Sequence, residues 1–561
     1  MPKMSGAQFL AETLSGYRIT HYFFMPVSVP EAMPEFDRVG ITPVMAHSEK
    51  GAAYMADGYA RVSGRVGVCG AQSVGALNLA AGLQDAYLGC SPVVALTGRL
   101  PQIMQQRNAY QEVDHTASFE TVTKYNVTIT SVEELPLFLR QAVREATSGT
   151  PGPTHVDLWG TAGGDVMRGE AELEVVVEEA FRRTPAFRPE PDQASIRTAL
   201  TELGNAERPV IVAGGGVRSS RARAELIELA ERLQVPVITS LGAKEVFPYD
   251  HPLAVGIAGL YSRECANRTL AEADLVFFIG SHTGGQITND WRLPRAGTRV
   301  IQLDINQAEL GRSFPVAAGL QGDARAGLRK LIDNIPDGPS GEEGEERAGW
   351  VRHVRDSVRA WRDEVAPLAT SEQLPMRPER LCTELTRLLP EEAVLVSDTG
   401  HSGIWTGTMM DLTSPEQSYI RCAGSLGWAL PAAIGAKCAV PDRPVVCFTG
   451  DGGMWYHLTE LDTAARYGIN TVTIVNNNAS LNQEQALNER IYAGQTPDSD
   501  RLWKLNDADF AAIAETMGCL GVRVDEPAEL DEALERALAA DRPVVIDVKT
   551  HIEGIAPRAW N

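Results

Sequence analysis

Residues 445–453, VVCFTGDGG, form an apolar run that breaks into a Gly-Asp-Gly turn, and the next apolar run, NTVTIVNNN, ends in Asn476, Asn477 and Asn478. A strand leading through glycines into the helical pattern YHLTELDTAARYG lets the backbone approach a ligand and aims unpaired N–H groups at it, which makes an anion site. Asp451 inside that turn would repel a bare phosphate. A hard divalent cation bridging the two removes the conflict, and an amide oxygen from the loop after the second run can complete its oxygen shell.

In an open parallel sheet, ligands lie beyond the carboxyl ends of the strands, so this chemistry requires α/β units to position it. The fold class expected is α/β, with three consecutive parallel-sheet domains at 1–175, 190–335 and 375–561. The first alternates helical periodicity with runs such as RVGVCG and SPVVALTG. The polar, proline-rich RRTPAFRPEPDQAS reads as a linker. RPVIVAGGG, ADLVFFIGS and TRVIQLDIN are the strands of the second unit. IPDGPSGEEGEER reads as a second, unfolded linker, because its Pro, Gly and Glu content buries little. AVLVSD, PVVCFTG, NTVTIVNN and RPVVIDVKT supply the third.

Composition narrows the function class. The 561 residues are 44% hydrophobic and 22% charged, which is globular, and the formal charge of -22 argues against nucleic acid and anionic membrane surfaces as partners. No run has the length of a signal peptide or of the roughly 20 apolar residues of a membrane span. A cytoplasmic protein is expected. Eight cysteines without a C-x-x-C pair are expected to be free, buried thiols.

The Gly-Asp-Gly turn and the asparagines resemble the thiamine diphosphate (ThDP) signature. Glu460, Leu461, Thr463 and Ala464 match the family's intervening residues and set the register. That resemblance implies Mg2+ ligands at Asp451, Asn478 and the Ser480 carbonyl, with Gly452 and Gly453 at the cofactor and Asn476 as an extra. HSEKGAAYMADGYARVSG resembles the helix whose acid meets the aminopyrimidine, here Glu49. GAQSVGALNLAAG resembles the family's glycine-rich loop with Asn78 near the cofactor, although Gln72 and Ser73 depart from its pattern. SDTGHSGIW places His401 and Ser402 on the diphosphate. CAGSLGWALPAAIGAK implies that the Gly424 carbonyl meets the 4'-amino group and that Leu426 bends the cofactor.

The likeness spans essentially the whole chain and is to the branch of acetolactate synthase, pyruvate oxidase, benzoylformate decarboxylase and the acyl-CoA lyases. It implies pyrimidine-binding, central and diphosphate-binding domains in that order. It also implies a homodimer or homotetramer with active sites between subunits. Gln111, Gln483 and Glu484 are the polar candidates for handling substrate protons. Synthases carry apolar residues at the last two positions and a tryptophan where Leu487 stands. VIVAGGGVRSSRA, with Asp304 and Asp323, could serve FAD, ADP or nothing. The expected activity is ThDP- and Mg2+-dependent cleavage or formation of a carbon–carbon bond next to a carbonyl, as in a 2-oxoacid decarboxylase or carboligase. A 2-hydroxyacyl-CoA lyase taking a CoA thioester and an inactive ThDP-binding protein are the alternatives.

Overall fold

The computed structural model describes residues 2–335, 341–492 and 499–556, with the backbone alone for 341–343. Its frame is three six-stranded sheets. Lys3–Ser5 (β1) pairs antiparallel with Glu170–Glu172 (β8) as a small separate ribbon. The first sheet contains His21–Phe24 (β2), Thr42–Met45 (β3), Gly67–Gln72 (β4), Val93–Gly98 (β5), Tyr125–Ile129 (β6) and Thr154–Leu158 (β7). The second holds Pro209–Ala213 (β9), Val237–Thr239 (β10), Ala254–Ile257 (β11), Leu275–Ile279 (β12), Arg299–Asp304 (β13) and Ala318–Gln321 (β14). Val394–Ser397 (β15), Ser418–Arg421 (β16), Val445–Gly450 (β17), Val472–Asn477 (β18), Leu520–Val524 (β19) and Val544–Lys549 (β20) make the third. Strand pairs within these sheets run parallel.

The outer sheets share one topology. Their orders, β3-β2-β4-β5-β7-β6 and β16-β15-β17-β18-β20-β19, are the same permutation. Each reverses direction between its first and third strands, and loops leaving the strands at such a reversal open a crevice. In the third sheet those loops follow β15 and β17, so topology alone brings His401 and Asp451 to one place. The middle sheet is ordered β11-β10-β9-β12-β13-β14, the doubly wound arrangement that binds dinucleotides at its reversal.

Strands buried on both faces explain the apolar runs. β9 (PVIVA) and β12 (LVFFI) are buried throughout, and each large side chain removed from water contributes about 1.5–3 kcal/mol. The outer sheets are joined by two helices, Glu49–Ser63 and Ala429–Ala439. A Cβ added to Gly58 would stand 2.0 Å from the Ala432 carbonyl oxygen, and one added to Gly435 would stand 1.8 Å from that of Met55. Only glycine allows these backbones to touch.

The sequence expectation fails at the second linker. Gly341–Ala369 is one helix, so the GEEGEER half folds, whereas residues 336–340 lie outside the described part. Arg347 is buried and donates to the carbonyls of Leu203, Ala206 and Leu233. Trp350 donates to Pro209 at 3.0 Å. The charged stretch folds because these two residues anchor it to the middle unit. The proline-rich 183–191 carries neither helix nor strand. The eight cysteines are free, and all but Cys90 are buried. No helix among the described residues is long and apolar enough to cross a membrane.

Candidate active site

Asp451 opens the helix Asp451–His457 at the tip of β17 and is almost wholly buried. Its carboxylate accepts the N–H of Gly452 at 2.7 Å and of Ser480 at 2.9 Å. Burial pushes its pKa up to about 6, so a bound cation would restore the charge that burial disfavours. The Ser480 hydroxyl donates to Asn478 Oδ1 at 2.8 Å. The Asp451 carboxylate and the Asn478–Ser480 loop thus meet through the Ser480 N–H, and carboxylate and amide oxygens from two such loops are donors that suit a hard cation.

The three asparagines separate by face. Asn477 donates to Asp547 at 2.8 Å and to the Ala508 carbonyl at 3.0 Å, which makes it a brace within the sheet. Asn476 points the other way, as strand alternation requires. It pairs in register with Gly450, and its Oδ1 is buried with no partner among the described residues.

Around Asp451 stand most of the other expected residues. His401 begins the helix His401–Thr408, and its Nδ1 lies 2.7 Å from Asn482 Oδ1. Asn482 donates to the carbonyls of Ile552 and Gly554, which forces its oxygen toward His401 and the ring hydrogen onto Nδ1. Ser402 is buried, with its Oγ 3.5 Å from where a Cβ on Gly450 would stand. Gln483 bends back over this loop, its Oε1 2.9 Å from the Cβ position of Gly400, whose φ is +63°. Glu484 closes the short turn Asn482–Glu484 before the helix Gln485–Tyr492.

Glycine roles divide. A Cβ on Gly452 would strike Leu481, and one on Gly453 would strike Thr449 and Asp398, so these two are required for packing. Gly424 has nothing within 4 Å of its Cβ position. Its loop is open to a ligand yet held at both ends. Asp85 accepts the N–H groups of Ala423 (2.8 Å), Gly424 (3.1 Å) and Ser425 (3.1 Å). Asp398 accepts that of Gly427 at 3.0 Å. Leu426, half-buried, lies between the two anchors.

Sequence reading missed both anchors. Asp85 ends a helical pattern like any surface acid, and only its complete burial beside Arg61 distinguishes it. Asp85→Asn is expected to destabilise the protein by about 3 kcal/mol, because Arg61 and three N–H groups lose a buried charge; thermal unfolding measures it. Equal unfolding temperatures would reduce Asp85 to an incidental contact.

Glu49, Asn78 and Gln111 gather elsewhere, at the tips of the first sheet. Asn78 donates to Glu49 at 3.2 Å, and Gly75 has no side chain where Glu49 lies. Gln111, at φ +61°, accepts from Gln72 at 3.0 Å. Asn78 and Asp85 lie seven residues apart on the helix Ser73–Leu88, which at 1.5 Å per residue is about 10 Å. Asn78, which meets Glu49, and Asp85, which holds the Gly424 loop, therefore stand about two turns apart on one helix.

Three family models match the chain in order: the thiamine pyrophosphate enzyme N-terminal TPP binding domain over residues 4–118, the central domain over 196–331 and the C-terminal TPP binding domain over 398–548. The probable acetolactate synthase large subunit of Methanocaldococcus jannaschii is 32% identical over 97% of this chain and 92% of its own length. The acetolactate synthase isozyme 1 large subunit of Escherichia coli is 31% identical over 99% and 96%. The acetolactate synthase large subunit of Corynebacterium glutamicum is 31% identical over 97% and 86%. The chain belongs to the thiamine pyrophosphate enzymes. As a ThDP enzyme of this branch it makes or breaks a carbon–carbon bond next to a carbonyl. Neither the acyl-CoA lyase nor the inactive ThDP-binding protein is favoured by these relatives.

Proposed function

We propose that the chain is a ThDP- and Mg2+-dependent carboligase that takes a 2-oxoacid as donor and joins its acyl unit to a second carbonyl compound. The observation that carries this reading is full-length likeness to acetolactate synthase large subunits, together with an open Gly424 loop beside a buried carboxylate that wants a cation. Asp451, Asn478 and the Ser480 carbonyl would hold Mg2+, His401 and Ser402 the diphosphate, and Gly424 and Leu426 the ring system. Bound there, ThDP supplies an acyl-anion equivalent. Glu49 holds the proton shared with the pyrimidine nitrogen, and Asn78 keeps its carboxylate in place. Incubating the protein with ThDP, Mg2+ and pyruvate, alone and with other 2-oxoacids or aldehydes, and following CO2 and condensation products tests the proposal. Release of CO2 without any condensation product would make the protein a decarboxylase instead.

Substrate protons fall to Glu484, and Gln111 faces the substrate as a hydrogen-bonding amide. Glu484→Gln is expected to leave ThDP affinity intact while lowering turnover by about 10²-fold, the usual worth of a positioned acid or base. Unchanged turnover on the substrate found above would return Glu484 to a helix-start residue. Gln483 leans on the diphosphate loop, so its part is to hold that loop.

A second copy of the chain completes the site in this reading. Asn78, which meets Glu49, stands on the helix Ser73–Leu88. The same helix exposes Val74, Leu77, Tyr87 and Leu88, and the Asp451 helix exposes Trp455 and Tyr456. Covering this apolar surface with a partner brings Glu49 to the neighbour's Gly424. Tyr87→Asp is expected to give monomers in sedimentation analysis that lack turnover; active monomers would refute the shared site. The cleft at the reversal of the middle sheet, about 470 Å³ and lined by Gly214–Gly216, His282 and Asp304, is proposed to take a nucleotide such as FAD or ADP. Asp323 is taken up by Arg188, Ser220 and the Ala326 N–H, which leaves Asp304 for the ribose. The cytoplasm, where such thiols stay reduced, is the proposed compartment.

A further inference from the structure

Behind the Gln111 loop, where β5 and β7 end, Thr97, His115, His155 and Asp157 meet with no exposure to solvent. A ring nitrogen from each histidine and an Asp157 oxygen all lie within 4.8 Å of one another. Thr97 Oγ1 is 2.6 Å from His155 Nε2, 2.8 Å from Asp157 Oδ1 and 3.1 Å from His115 Nε2. His115 Nε2 is 2.9 Å from Asp157 Oδ1, and its Nδ1 is buried without a partner among the described residues.

The hydrogen bonds around this cluster turn several lone pairs toward its centre. Asn126 donates its amide hydrogen to the Thr116 carbonyl at 2.8 Å, so its oxygen faces His155 Nδ1 at 2.7 Å and must accept. That fixes the hydrogen of His155 on Nδ1 and leaves a lone pair on Nε2. The lone pair and the Asp157 oxygen both face Thr97, which has one hydrogen to give. Thr97 can serve only one of the two, and His115 Nε2, 2.9 Å from the Asp157 oxygen and 3.1 Å from Thr97, offers at most one hydrogen more. A cation accepts every one of these lone pairs and needs no hydrogen.

We propose that Thr97, His115, His155 and Asp157 hold a divalent transition-metal ion of the zinc class, at a site separate from the cation expected at Asp451. Two imidazoles, a carboxylate and a hydroxyl form a mixed nitrogen and oxygen set that suits zinc or cobalt better than magnesium. Outer partners orient two of the ligands, as is usual at metal sites. Asn126 fixes the His155 tautomer, and Arg99 Nε lies 3.2 Å from the second Asp157 oxygen. The Arg99 charge is itself matched by Asp114 at 3.0 Å. Neutral imidazole is the form that binds a metal, and Asn126 holds His155 in the tautomer whose Nε2 carries a lone pair. His115 follows Gln111 by four residues, so the ion would fasten the substrate-side loop to the sheet. Its role is to position Gln111, and the site stands whether or not the carboligase reading holds.

The test uses the full chain, stripped with a chelator and then saturated with Mg2+ and ThDP so that the Asp451 site is filled. Added Co2+ is expected to bind one equivalent with the strong visible absorption of a four-coordinate ion, and Zn2+ is expected to displace it. His115→Ala and Asp157→Asn should each lose that absorption. Wild-type protein that retains no Co2+ through gel filtration would overturn the proposal. So would an absorption that persists at full strength in both variants. Should the variants fail to fold, elemental analysis of Zn2+-loaded wild-type protein decides: one zinc per chain supports the site, and substoichiometric zinc removes it.

Discussion

Asp451→Ala is expected to abolish Mg2+-dependent ThDP binding, with an affinity loss of at least about 10²-fold, since even residues that merely support a metal ligand cost up to that much when removed. The reasoning starts from burial. Asp451 sits at a strand tip between two N–H donors, with its carboxyl held near pH 6 by desolvation. A cation bound there would stabilise such a group as an anion, and a diphosphate without that cation would meet uncompensated negative charge. Isothermal calorimetry of ThDP in the presence and absence of Mg2+ reads the effect. Asn478→Ala should behave nearly alike, and Asn476→Ala should leave affinity unchanged. Sensitivity at Asn476 with tolerance at Asn478 would shift the metal ligand to the buried amide beside Gly450.

Glu49→Gln is expected to bind ThDP with its ordinary affinity and to lose turnover by about 10²- to 10⁴-fold, the range of a positioned proton-transfer group. An amide has the shape of the acid but cannot share a proton with a ring nitrogen. Asn78 already donates to Glu49 and Gly75 makes room for it, so the substitution leaves the surroundings in place. Calorimetry gives the binding and steady-state kinetics the turnover. Full activity in this variant would remove Glu49 from the chemistry.

Much of the outline was legible in the chain. The long strands buried on both faces, such as β12 and β17, announce themselves as apolar runs ended by turn residues. β10 and β3, three and four residues long, are too short to show a period. YHLTELDTAARYG reads as a single helix but is two, Asp451–His457 and Glu460–Tyr467. Its break lets buried Glu460 accept the His47 N–H at 3.1 Å, just before Glu49. The Glu and Gly content of 341–347 suggests disorder, and the anchoring of Arg347 and Trp350 reverses it. In the site, residues that touch a ligand in relatives carry visible motifs. Asp85 and Asp398 hold a loop from distant parts of the chain, and partners 338 and 29 residues away leave no local trace.

The glycine contact between the helices Glu49–Ser63 and Ala429–Ala439 also bears on how such chains can be recombined. The first and last sheets are farthest apart in sequence, yet their backbones touch at Gly58 and Gly435 with no side chain to absorb a mismatch. The middle unit, bounded by the irregular 183–191 and the helix Gly341–Ala369, makes no comparable junction of bare backbones with either outer unit among the described residues. Crossover points for shuffling relatives therefore lie on either side of the middle unit. The outer two units are inherited as a pair.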